Sequence, residues 1–262
     1  TGPNTCRSAT LTGGRLNPSS PKNDKISSPV MPYQRYRQDL QREGFQHDPA
    51  QERAVQYLQR IYDQLMARPE EPAPSKKAGL LGRLVGRDKP AAAGAPAVRG
   101  LYLWGGVGRG KTYLVDTFVD ALPLERKQRI HFHSFMRAVH AELKALKNQS
   151  EPLRIVARRF AEQARVICLD EFFVADITDA MLLDGLLRDL FASGVTLITT
   201  SNLPPDDLYK DGLQRARFLP AIELIKRHLD VLNVDGGIDY RLRYLEKAEI
   251  YHSPLDDRAE QI

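Results

Sequence analysis

Arg99-Gly-Leu-Tyr-Leu-Trp104 runs straight into Gly105-Gly-Val-Gly-Arg-Gly-Lys-Thr112. The first six residues alternate as a strand does. The next eight fill every position of the phosphate-loop pattern. Leu114, Val115, Phe118, Val119 and Leu122 then recur at helical spacing. The motif therefore lies in the strand–loop–helix context it requires, and the fold class follows as α/β of the P-loop NTPase type. The glycines allow backbone conformations closed to other residues, so successive N–H groups can turn inward toward phosphate. The following helix adds the partial positive charge of its N-terminus. Gly105, Gly106, Val107, Gly108, Arg109 and Gly110 form the cradle, Lys111 reaches the β- and γ-phosphates of a nucleotide, and Thr112 offers a hydroxyl to Mg²⁺.

Three further stretches downstream complete a site of this kind. Arg165-Val-Ile-Cys-Leu-Asp170-Glu171 reads as a buried parallel strand with two carboxylates at its C-terminal end, the edge where open α/β sheets bind ligands. Asp170 can hold Mg²⁺ through its water shell. Glu171 can accept a proton from the water that attacks the γ-phosphate. After a helix over Asp179–Phe191 comes Val195-Thr-Leu-Ile-Thr-Thr-Ser-Asn202, a β-branched strand that can lie between the first two in space. Its terminal Asn202 would stand beside the γ-phosphate and orient the water. Leu213-Gln-Arg215-Ala-Arg217-Phe-Leu-Pro220 places two arginines at the start of a helix. In oligomeric ATPases a neighbouring subunit's arginine completes the site. Arg217 is the first choice for that role and Arg215 the second.

Upstream the chain is different in kind. Residues 1–32 are rich in Ser, Thr, Pro, Gly and Asn without aliphatic periodicity, and read as a disordered leader or tail. They carry neither the apolar run of a signal peptide nor the Arg-rich amphipathic pattern of a transit peptide. Residues 33–67 read as a helical lead-in. Tyr33, Tyr36 and Leu40 begin it, Asp48-Pro49 has the form of a cap and first-turn proline, and Val55, Leu58, Ile61, Tyr62 and Leu65 make one apolar stripe. Residues 68–98 read as a flexible linker whose scattered Lys and Arg are solvated.

Composition bounds what else the chain can be. It has 262 residues, 42% hydrophobic and 27% charged, with 38 Lys and Arg against 33 Asp and Glu for a net +5. These are values of a globular protein. Two cysteines exclude a disulfide framework or a four-thiolate zinc site, and fit a reducing cytoplasm. No apolar run suggests a membrane span. The mild basic excess leaves nucleic acid open without favouring it, and Arg126-Lys127, Arg129 and Arg158-Arg159 accompany no readout motif. His131 and His133 fall on one face of a strand by alternation, with His140 nearby, but no ligand cluster at metal spacing follows. An Asn-Lys-x-Asp guanine-reading pattern is absent, so adenine is the expected base.

The longer segments resemble the ZapE family of bacterial cell-division ATPases and their mitochondrial relatives, within the AAA+ class. The resemblance is carried by residues 99–112, His-Phe-His-Ser-Phe-Met (131–136), Leu-Asp-Glu-Phe-Phe-Val-Ala-Asp-Ile-Thr-Asp-Ala-Met-Leu-Leu (169–183), Thr-Ser-Asn (200–202), residues 211–222, and Val-Asp-Gly-Gly-Ile-Asp-Tyr-Arg-Leu-Arg (234–243). It implies a five-stranded parallel sheet in the order 5-1-4-3-2 flanked by helices, with ATP and Mg²⁺ as ligands. It also implies Lys111 and Thr112 at the nucleotide, Asp170 and Glu171 as metal and base carboxylates, Asn202 as polar sensor, and Arg217 or Arg215 acting in trans in a self-associated form. Bacterial members weaken FtsZ polymers at the constricting division ring, near the inner membrane, and that is the function expected. The other functions open to the sequence are a nucleic-acid loader of the same class and a nucleotide-gated binding module without turnover. Relatives continue beyond Ile262 through a helical lid. The expected layout is an ATPase core over 99–255, with 256–262 beginning a truncated C-terminal region and 1–30 lacking a counterpart.

Overall fold

The computed structural model describes residues 30–42, 45–68 and 97–235. The leader read over 1–32, the linker read over 68–98 and the chain beyond residue 235 therefore lie almost wholly outside the described residues.

Five parallel strands make the sheet: β1 (Gly100–Trp104), β2 (Lys127–His131), β3 (Val166–Asp170), β4 (Thr196–Ser201) and β5 (Leu229–Asn233), in the spatial order β2-β3-β4-β1-β5. Read from the other edge this is 5-1-4-3-2, the order the family resemblance implies. β4 does lie between β1 and β3, with Leu101 opposite Ile198 and Cys168 opposite Ile198 on its two sides. A parallel sheet needs a crossover between successive strands, and helices supply it. They are α3 (Lys111–Ala121), α4 (Phe132–Ala145), α5 (Pro152–Gln163), α6 (Ile177–Ala192) and α7 (Leu219–His228).

The strand pleat sorts side chains into two cores. Tyr102, Ile167, Leu169 and Leu197 face α4 to α7, packing with Phe135, Leu183, Leu186 and Ile225. Leu101, Leu103, Val166, Cys168 and Ile198 face the other way, toward Leu114, Val115 and Phe118 of α3. Both faces are thus covered, which is why β3 and β4 are buried along their whole length.

Two helices precede the sheet, α1 (Pro32–Asp39) and α2 (Pro49–Met66). Asp48 caps α2, its carboxylate accepting from the Ala50 N–H at 2.8 Å, with Pro49 in the first turn. The apolar face of α2 puts Val55, Leu58, Ile61 and Leu65 into the α3-side core. Polar ties fix its C-terminal half. Arg60 pairs with Asp230 of β5, and Arg165 donates to the carbonyls of Leu65, in the last turn, and Arg68, just beyond the helix, at 3.1 Å each. The Tyr113 hydroxyl of α3 donates to Asp39 of α1 at 2.7 Å. α1 and α2 are accordingly built into the same body as the sheet.

One local expectation is corrected. His131 and His133 do not share a strand face, because β2 ends at His131 and α4 begins at Phe132. Three alternating residues also fit a strand-to-helix corner. Phe132 and Phe135 turn into the core as a helix directs them, while the two imidazoles stack at 5.9 Å on the outside.

Candidate functional site

The site lies at the carboxyl end of the sheet, in a cavity of about 730 Å³ lined by residues 107–113, Arg129 to His131, Asp170, Glu171 and residues 200–202. β1 delivers the phosphate loop, β3 the two carboxylates, and β4 the segment ending in Asn202. The three stretches picked out of the sequence are thus side by side because their strands are neighbours.

The loop wraps the start of α3. Gly108 and Gly110 have φ of 80° and 81°, in the left-handed region that favours glycine. Gly110 is also crowded: a Cβ there would lie 2.4 Å from Gln51 Nε2. Gln51 projects from α2, is 1% exposed, and donates to the Arg109 carbonyl at 3.1 Å. The Lys111 ammonium folds back over the loop, donating to the Gly105 and Gly106 carbonyls at 2.7 Å each and to Asn202 Oδ1 at 3.0 Å. Lys111 and Asn202, 91 residues apart, thereby meet directly. Asp235, just past β5, accepts from the Gly106 N–H at 3.3 Å and lies 2.7 Å from Arg109 Nε.

β4 sets the geometry of the carboxylates. The Thr200 hydroxyl accepts from the Glu171 N–H at 3.1 Å, and the Thr200 carbonyl accepts from Phe172 N–H at 2.7 Å. Ser201 Oγ donates to the Phe172 carbonyl at 2.8 Å. Held this way, Glu171 has φ 56°, a conformation a non-glycine residue rarely takes. The turn swings its side chain out of the strand line into the cavity, where it is 78% exposed, with Oε2 3.9 Å from His131 Nδ1. Asp170 stays sheltered. Its Oδ2 accepts from Arg129 Nε at 2.7 Å, while Oδ1 faces the Thr200 hydroxyl at 3.4 Å.

The donor set suits a magnesium-bound nucleotide triphosphate. The Thr112 hydroxyl and the Asp170 carboxylate are hard oxygen donors on one cavity wall, as Mg²⁺ prefers. Lys111 and the amides at the start of α3 offer positive charge to phosphate. Burial, with the charge of Asp170 beside it, pushes the Cys168 thiol up to about 12. Among the described residues no group of three or more His, Cys, Asp or Glu is arranged to hold a metal, so His131, His133 and His140 form no such cluster. His140 instead pairs with Asp179 at 2.6 Å.

The two arginines differ. They sit in a 3₁₀ turn, Arg215–Arg217, before α7 begins at Leu219, and not in the helix itself. Arg215 donates to the Leu208 carbonyl at 2.7 Å and the Asp206 carbonyl at 2.5 Å, pinning the preceding loop. Arg217 is exposed and donates to the side chain of Gln214 at 3.2 Å. Neither lines the cavity of its own chain. Gln51, Arg129, Thr200, Ser201 and Asp235 shape the site without having been singled out for it in the sequence. The only local hint was Thr-Ser, small hydroxyls in an otherwise apolar strand.

Among the described residues no helix is long and apolar enough to cross a membrane. Comparison with known proteins places the chain. It is 54% identical over 229 residues to Cell division protein ZapE of Escherichia coli K12, covering 87% of this chain and 60% of that protein. It is 41% identical over 174 residues to Lactation elevated protein 1 homolog B of Danio rerio, covering 62% of this chain and 35% of that one. The chain thus spans about 60% of the length of the bacterial relative. Among solved structures it is similar to DnaI, with a TM-score of 0.48 and 18% identity over 78% of this chain and 93% of that one. The AFG1-like ATPase family model matches residues 30–262, and the chain belongs to that family.

Proposed function

We propose that this chain binds ATP with Mg²⁺, hydrolyses it, and uses turnover to weaken FtsZ polymers at the bacterial division ring, working in the cytoplasm next to the inner membrane. The observation that supports the ATPase reading is the meeting of Lys111, Asn202, Asp170 and Glu171 around one cavity at the sheet's carboxyl end. The division reading rests on 54% identity to a relative named for cell division, together with the family resemblance of the sequence.

In this reading Lys111 leaves the Gly105 and Gly106 carbonyls for the phosphates. Thr112 and Asp170 would hold Mg²⁺, which when bound offsets the charge of the phosphate oxygens. Glu171, exposed in the cavity, accepts the proton of the attacking water. Asn202, released from Lys111, positions that water. Arg217 enters the site of a neighbouring copy, since Arg215 is already committed to backbone carbonyls of its own loop.

The test compares phosphate release by the chain alone, with FtsZ filaments, and with single-stranded DNA, while light scattering follows the filaments. ATP-dependent loss of scattering, with turnover indifferent to DNA, is expected. Turnover raised by DNA with a steep salt dependence, and filaments left intact, would sink the division reading in favour of a loader.

A further inference from the structure

Arg129, in the middle of β2, lies between two carboxylates. Its Nε donates to Asp170 Oδ2 at 2.7 Å, and its Nη1 donates to Asp116 of α3. Asp116 stands four residues beyond Thr112 on α3, one turn along the same helix face. The register places Arg129 opposite Cys168, so Asp170 is its diagonal neighbour on one face of the sheet. One guanidinium thus ties α3 to β3, the two elements that bring the Thr112 hydroxyl and the Asp170 carboxylate to the cavity. Its side chain is 25% exposed and that of Asp170 13%, so the pair is only partly screened by solvent.

Removing that positive charge would leave the Asp170 carboxylate uncompensated where it lines the cavity with Glu171 and Thr112. Hard divalent cations take oxygen ligands such as the Asp170 carboxylate and the Thr112 hydroxyl. We propose that Arg129 is a built-in counter-cation, a positioning residue that holds Asp170 ready and makes uptake of a divalent cation conditional on nucleotide. The phosphates add the negative charge that outweighs it. This rests on Asp170 being the metal carboxylate of the proposed ATPase. Charge decides the direction of the effect. In water at low salt, a unit positive charge close beside a divalent cation lowers its binding by on the order of tenfold.

The probe is Mn²⁺, followed by electron paramagnetic resonance on the nucleotide-free chain. The wild type and Arg129→Lys should bind it weakly and alike. Arg129→Gln, which keeps a hydrogen-bonding amide, should bind it at least about tenfold more tightly, and Arg129→Met, which keeps the aliphatic stem, should show the same gain. Asp116→Asn, which leaves the guanidinium on Asp170, should show none. Equal Mn²⁺ affinity in the wild type and both uncharged variants would overturn the proposal, as would a gain in Arg129→Lys. The assignment beneath it fails separately: if Asp170→Asn leaves Mn²⁺ affinity unchanged in the presence of ATP, Asp170 is not the metal carboxylate.

Discussion

Lys111 shows how a single side chain can be preloaded for its task. Its ammonium already has three acceptors, two backbone carbonyls and Asn202. The charge is therefore satisfied before any ligand arrives, and phosphate replaces one set of partners by another. Hydrogen bonds to charged groups contribute about 1.5–3 kcal/mol each. Lys111→Ala should thus weaken ATP binding by about tenfold to a hundredfold, measured by titration with a fluorescent ATP analogue. Unchanged affinity would count against its role at the phosphates. Glu171 shows the complementary case, a residue held in an unfavourable backbone conformation by Thr200 so that its carboxylate faces the cavity. Lys111, Asp170 and Glu171 could be read from the sequence because each belongs to a short local pattern at a strand end. Arg129, Gln51 and Asp235 could not, because their partners are remote in sequence: Gln51 meets Arg109 58 positions away, and Asp235 meets Gly106 129 positions away.

Among the elements, α2 has the clearest bearing on the site. It is outside the strand–loop–helix unit, yet its Gln51 seats the Arg109–Gly110 turn from above. Loss of one such hydrogen bond costs about 0.5–1.5 kcal/mol. Gln51→Ala should therefore raise the Kd for ATP by about twofold to tenfold with kcat little changed. A fall in kcat at unchanged Kd would assign Gln51 elsewhere. The apolar stripe of α2 was visible in the sequence, whereas its seat on the phosphate loop depends on tertiary packing and was not. The junction of α7 with β5 carries a pH dependence. His228 stacks on Phe191 at 4.2 Å, and burial, then the nearby Arg227 and Arg99, lower its pKa. The native state therefore takes up this proton less readily than the unfolded chain. The stability His228 contributes is present above its unfolded pKa of about 6.5 and is lost as pH falls below it. His228→Gln should flatten the decline of Tm between about pH 7 and 5. An unaltered slope would exclude His228 as a source of it.

At the scale of the whole molecule, the parallel sheet has the order β2-β3-β4-β1-β5 with helices on both faces. That order brings β1, β3 and β4 together, and with them the loop, the carboxylates and Asn202. β1, β3 and β4 were legible because β-branched and aliphatic runs ending in polar residues are strong signals, whereas β5, Leu-Asp-Val-Leu-Asn, is interrupted by Asp230 and was not. The order itself came from family resemblance, since spacing alone leaves several arrangements open. Arg215 and Arg217 illustrate a limit of another kind: both fit a trans role by sequence, and only the loop that Arg215 pins separates them. We propose ATP turnover in this cavity with Glu171 as the base. It is tested most directly by phosphate release from Mg²⁺-ATP in the wild type and in Glu171→Gln, with ATP affinity measured for both. Equal affinity and a loss of turnover of about 10²- to 10⁴-fold in the variant are expected. Equal turnover in the two proteins would contradict it.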